Sequence, residues 1–152
     1  MEYFCQKMTG ENVFSILNKA EKSFTPSLSH NIPYTLEEYA EKLSTNAMFV
    51  ICKKNDEIIG FLAYYVNSEG LFAYIPQIWV SDNYQRKGIG GSMMKTMIEN
   101  VPLQMTSIRL EVRKNNEKAI LFYIKAGYHI VKEEKNKYLM EKRIRTKNTD
   151  EQ

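Results

Sequence analysis

Gln85-Arg86-Lys87-Gly88-Ile89-Gly90-Gly91 lies between an apolar strand-like run and a helix-like run, and its reading decides the fold. The residues before it, Tyr74-Ile75-Pro76-Gln77-Ile78-Trp79-Val80, are β-branched and aromatic and predict a buried strand. Those after it place Ile89, Met93, Met94, Met97, Ile98 and Val101 on one helical face. Glycines at such a junction let backbone amides approach a ligand, and the new helix directs its unpaired N–H groups and positive end at the same point. A phosphate or diphosphate is the ligand that suits this arrangement. Two common phosphate motifs fail on spacing. No Gly-Lys-Ser/Thr follows a first glycine as a P-loop requires, and a dinucleotide fingerprint would need a third glycine where Met93 stands. A tight turn that merely opens a helix is the remaining alternative.

A second stretch, Leu110-Glu111-Val112-Arg113-Lys114-Asn115-Asn116 through Gly127-Tyr128, reads as a strand, a turn, a capped helix, a glycine stop and another strand. Asn115 or Asn116 can cap the helix, Gly127 suits the left-handed position beyond its end, and Ala119, Phe122, Tyr123 and Ala126 share its expected buried face. The two stretches together, in this order, resemble the GNAT superfamily of N-acetyltransferases. Gln85-x-x-Gly88-x-Gly90 is similar to that family's diphosphate signature for acetyl-coenzyme A. Asn116-x-x-Ala119-x-x-x-Tyr123-x-x-x-Gly127-Tyr128 is similar to its second signature, in which Phe usually follows the glycine. Residues 47 to 144 carry the resemblance, and the first 46 match in layout alone.

The resemblance implies an α/β (mixed α+β) GNAT fold: a mixed, mostly antiparallel sheet of about seven strands with about four helices on its faces, ordered β-α-α-β-β-β-α-β-α-β-β. It implies acetyl-coenzyme A as co-substrate, with no metal. Backbone groups of Ile78, Trp79 and Val80 would bind the pantetheine amides, and Gln85, Arg86, Lys87, Gly88, Ile89, Gly90 and Gly91 would hold the diphosphate. Pro76 cannot donate a ladder hydrogen bond, so its strand is expected to be disturbed there or to lie at an edge. Tyr123 becomes the candidate acid for the departing thiolate; by spacing alone it is equally a core tyrosine. Asn116 is both a helix cap and a candidate contact for the cofactor arm. Glu111 alternates to the face opposite Ile108, Leu110 and Val112, and Leu110-Glu111-Val112-Arg113 is similar to enzymes that acetylate protein N-termini. It is the candidate base, and a charge pair with Arg109, Arg113 or a neighbouring strand is the alternative.

Composition bounds the rest. A chain of 152 residues with 43% hydrophobic side chains supports one domain, taken as 1–144 with a polar tail over 145–152. No apolar run reaches membrane-span length, and the start Met1-Glu2-Tyr3-Phe4-Cys5 lacks a secretory pattern. Cys5 and Cys52 are isolated, which fits packing roles and a reduced, cytoplasmic setting. A net charge of +3 without a basic stripe argues against nucleic-acid binding. Glu11 to Ser23 predicts a helix burying Val13, Phe14, Leu17 and Ala20, and Thr35 with Glu38 a capping box on a second. Between them Phe24 to Tyr34 offers hydroxyls, His30 and an aromatic residue at each end, a mix suited to an amino sugar. His30 is a second candidate base or ligand. Pro26 to Leu43 also resembles a GNAT subgroup associated with bacterial surface-polysaccharide loci. The acceptor expectation is therefore a small-molecule amine, with a protein N-terminus or lysine, or a non-catalytic coenzyme A-binding module, as alternatives. The family resemblance leaves room for a homodimer.

Overall fold

The computed structural model describes residues 1–23 and 32–146. The stretch 24–31, with His30, and the tail 147–152 lie outside the described residues. The strands are β1 (Glu2–Gln6), β2 (Met48–Lys54), β3 (Glu57–Asn67), β4 (Phe72–Val80), β5 (Ser107–Arg113), β6 (His129–Glu133) and β7 (Lys137–Arg143). The α-helices among the described residues are α1 (Gly10–Ala20), α2 (Leu36–Asn46), α3 (Ile89–Asn100) and α4 (Glu117–Lys125). Short 3-10 turns cover Glu21–Ser23 and Asp82–Tyr84. The strand order is β1-β2-β3-β4-β5-β7-β6. The order and the mixed, mostly antiparallel sheet are those the sequence implied.

The chain divides into two compact units: Met1–Tyr64 with Gln77–Glu99, and Tyr65–Pro76 with Asn100–Gln152. In the first, β1, β2 and β3 pair antiparallel. Asn55 and Asp56, with φ of 51° and 66°, form the hairpin turn between β2 and β3. Two consecutive positive-φ residues match the strand twist best, and Asn and Asp tolerate that region. The middles of β2 and β3 are buried on both faces, which requires cover on each. Helix α3 covers one: Ile89 and Met93 lie over Gly60. Helices α1 and α2 pack against each other, burying Val13, Ile16, Leu17 and Ala20 of the first and Tyr39, Ala40 and Leu43 of the second. Phe14, expected inside, is only half-buried, and Ile16 takes its place.

Helix α2 starts as its sequence dictates. The Thr35 hydroxyl accepts from Glu38 N–H at 3.1 Å, and the Glu38 carboxylate accepts from Thr35 N–H at 2.9 Å. Both donors would otherwise be orphaned at the helix start. Thr35→Ala should cost about 1 kcal/mol and lower the thermal midpoint by about 2–4 °C. A melting curve unchanged by that substitution would show that the box adds nothing.

In the second unit, β4 runs parallel to β5, whereas β5–β7 and β6–β7 are antiparallel. The β4–β5 pairing covers Phe72 to Ile75 and stops at Pro76, the residue without an N–H. On β5, Ile108, Leu110 and Val112 are buried while Arg109, Glu111 and Arg113 face outward, as alternation required. The expected buried face of α4 is narrower than its spacing suggested. Tyr123 is buried, but Phe122 is 37% exposed, and Ala119 and Ala126 are half-covered. The helix is short and Tyr123 is its one fully buried side chain, so a 3.6-residue stripe overstates its buried face. Arg145, at the start of the polar tail, donates to the Pro102 carbonyl at 2.8 Å.

Candidate active site

The turn between β4 and α3 is held open by its own hydrogen bonds. Ser81 N–H donates to Ile59 O, and Tyr84 N–H to Ser81 O, both at 2.8 Å. The Gln85 carboxamide donates to Val80 O at 3.1 Å and to Asp82 Oδ1 at 3.3 Å. Gln85 therefore braces the turn from within.

Beyond it the backbone takes left-handed φ at alternate positions, 64° at Arg86 and 80° at Gly88. Such alternation curls successive amides inward into an anion-binding nest. An arginine in this region is strained by about 1 kcal/mol or more, a cost typical of ligand clamps. The amides from Arg86 to Gly91 donate to no protein acceptor among the described residues; Ser92 N–H, bonded to Gly88 O at 3.0 Å, is the first that does. Arg86 and Lys87 are exposed beside this array, and the space around a side chain added at Gly88 or Gly91 is empty. Donors, two cations, a helix N-terminus and room together suit a diphosphate. Upstream on β4, Trp79 is buried with its ring 6.0 Å from Phe61, and Ile78 and Val80 are half-buried.

In the second unit, Asn116 is the N-cap of α4: its Oδ1 accepts from Ala119 N–H at 3.2 Å. Gly127 ends the helix at φ 100°. Its N–H bonds Ile124 O at 3.0 Å, and Tyr128 N–H bonds Tyr123 O at 2.9 Å, the paired bonds of a Schellman stop. This stop fixes the Tyr128 ring edge-on to Tyr123, with centroids 5.6 Å apart, while Phe122 flanks Tyr123 at 5.3 Å. Tyr123 is 7% exposed. Burial pushes its phenol well above the usual tyrosine range, so it remains a protonated donor. The Tyr128 hydroxyl is buried without a hydrogen-bond partner among the described residues.

Glu111 stands on the outward face of β5, with Lys137 Nζ of β7 3.0 Å from its Oε1. The charge pair expected as an alternative thus exists, with a residue of the neighbouring strand β7. Arg109 is engaged instead by Glu141 at 2.8 Å. Burial, and next the nearby Glu111 charge, hold the phenol of Tyr74 on β4 above the usual tyrosine range. Neither Tyr74 nor Lys137 stood out in the sequence. Alternation shows which way Glu111 faces, but only the register shows which side chains lie next to it. Among the described residues no group of His, Cys, Asp or Glu could hold a metal ion, and no helix is long and apolar enough to cross a membrane.

The sequence pattern of the acetyltransferase (GNAT) family matches residues 13–128. Similar solved structures include the PaiA N-acetyltransferase of Thermoplasma acidophilum in complex with coenzyme A. It is 19% identical with a TM-score of 0.72, covering 95% of this chain and 100% of that one. A ribosomal-protein alanine N-acetyltransferase of Escherichia coli is 17% identical with a TM-score of 0.77, covering 98% of both chains. No curated protein sequence matches the chain.

Proposed function

The chain belongs to the acetyltransferase (GNAT) family, whose members take acetyl-coenzyme A as co-substrate, and from that premise we propose that it acetylates a primary amine of a small molecule, an amino sugar being the acceptor class. The observation that carries this reading is the run of unpartnered amides from Arg86 to Gly91 at the head of α3. It is a site for the diphosphate of coenzyme A, flanked by Arg86 and Lys87.

Direct transfer with both substrates bound asks for a neutral amine, a near-attack geometry and a proton for the leaving thiolate. In this proposal the amine nitrogen attacks the thioester carbonyl, the C–S bond breaks, the Tyr123 hydroxyl gives its proton to the sulfur, and the proton that the nitrogen sheds as the amide forms restores the phenol. Glu111 receives the proton that the acceptor ammonium must lose. An α-amine, with an ordinary value near ~8, gives up its proton more readily than a lysine ε-amine near ~10.4. The amino-sugar class is supported by the composition of Phe24 to Tyr34 and by the likeness of Pro26 to Leu43 to the polysaccharide-locus subgroup. A peptide α-amine is the second reading, favoured by Glu111 standing exposed within Leu110-Glu111-Val112-Arg113.

Thiol release measured with glucosamine, an alanyl peptide, a lysyl peptide with a blocked N-terminus, and no acceptor tests the proposal. Glucosamine should give the largest kcat/KM. Turnover confined to the alanyl peptide would replace the amino-sugar reading with the second. Release with none of them, alongside retained coenzyme A binding, would identify a non-catalytic binding module.

A further inference from the structure

Ala119 to Ile124 is an unbroken apolar run inside α4. At about 100° per residue such a run passes right round the helix, and a helix apolar all round calls for cover on every side. The structure covers one side. Tyr123 is buried, whereas Leu121, about 200° away and so nearly opposite, is 59% exposed, and Ile124 is 50% exposed. One exposed leucine would need no explanation. Here two large aliphatic side chains stand as neighbours on the outward face, where a helix normally turns polar residues to water.

That outward face is bounded by charge. Glu117, Lys118 and Lys125 lie within about 60° of Leu121 around the helix, and all three are exposed. None of them forms an ion pair among the described residues. Glu117 stands in the first turn and Lys125 in the last, with Leu121 midway between them.

A face of this kind is complementary to itself. Two copies of α4 laid antiparallel about a two-fold axis through Leu121 bring the two Leu121 side chains together. The same axis sets Glu117 of each copy opposite Lys125 of the other, and Lys118 opposite Ile124. The contact is isologous, so each of these pairings occurs twice. The Lys118 stem covers Ile124 while its ammonium stays in water. An axis placed between Leu121 and Ile124 would instead set Glu117 against Tyr128 and Lys125 against Ile120, and both charge pairs would be lost.

We infer that the outward face of α4 docks a second copy of this chain as an antiparallel helix pair centred on Leu121. A helix of 9 residues is about 13 Å long. A contact of that length buries less than the ~1,000 Å² of a permanent interface, so the pair is weak and its population rises with protein concentration.

Sedimentation velocity of the full chain over a concentration series, at low ionic strength where exposed pairs are least screened, tests the inference. The wild type should pass from monomer to dimer as concentration rises. Leu121→Asp should weaken dimerisation by ~10-fold or more, since it places two charges at the centre of the contact. The Leu121 side chain lies mostly in water in the single chain, so the melting curve should not move. Glu117→Lys and Lys125→Glu should each weaken the dimer several-fold by setting like charges opposite each other. An equimolar mixture of those two variants should regain the wild-type dimer, because every lysine then faces a glutamate again. A disturbed helix end would not be repaired by mixing. A wild type that stays monomeric throughout leaves this face to a different partner and overturns the inference. A dimer that Leu121→Asp leaves intact, or a mixture no stronger than either variant alone, does the same.

Discussion

Tyr123→Phe should lower kcat by ~10²-fold or more while leaving coenzyme A affinity unchanged, because general acid catalysis is worth about that much. The substitution removes one hydroxyl and keeps the ring. The edge-on contacts with Tyr128 and Phe122 at 5.6 and 5.3 Å survive, so the fold should be retained. The proposed diphosphate site is on other residues, Arg86 to Gly91, and has no reason to respond. The wild-type pH profile supplies a second measurement. Burial raises the Tyr123 phenol above its ordinary value of ~10, so its acidic form persists to higher pH than a free tyrosine would allow. The single-turnover rate in the wild type should therefore show no alkaline fall before pH ~10. Turnover equal to wild type in Tyr123→Phe would remove this residue from the mechanism and leave the thiolate to be protonated by water.

Gly88→Val should reduce coenzyme A affinity by ~10²-fold or more without unfolding the chain. At φ 80° a side chain costs about 1–2 kcal/mol, and a β-branched one is the least tolerated there. The turn relieves that strain by rotating away from the left-handed region, which turns the neighbouring amides out of the nest. A lost hydrogen bond to a charged group costs about 1.5–3 kcal/mol, so the loss of two such amides already reaches two orders of magnitude. The rest of the fold is insulated. The added side chain meets no protein atom, and α3 is anchored by Ile89, Met93 and Met97 on its buried face. Titration calorimetry with coenzyme A reads the effect directly. Undiminished affinity in a folded variant would place the diphosphate somewhere other than this turn.

Local chemistry carried most of what could be read in advance. The capping box of Thr35 and Glu38, the hairpin at Asn55 and Asp56, and the glycine stop at Gly127 each depend on a few adjacent residues. All three formed as the residue types required. Misreadings arose where a face had to be matched to a partner. Phe14 and Ile16 are both apolar residues of α1, and only packing decided that Ile16 goes inside. The α4 stripe looked broad enough to bury Phe122, yet its cover reaches Tyr123 alone.

The chain's own text determined the family, the element order and the glycine-headed turn before α3, because glycine spacing, helix caps and turn residues act over a few bonds and leave a mark wherever they occur. The tertiary structure alone decided the company of Glu111. Tyr74 and Lys137 lie 37 and 26 residues from it along the chain. They meet it because β5 takes β4 as its parallel neighbour and β7 as its antiparallel one, in registers fixed by the buried faces of all three strands. A register is a long-range agreement between strands, and no single strand's sequence states it.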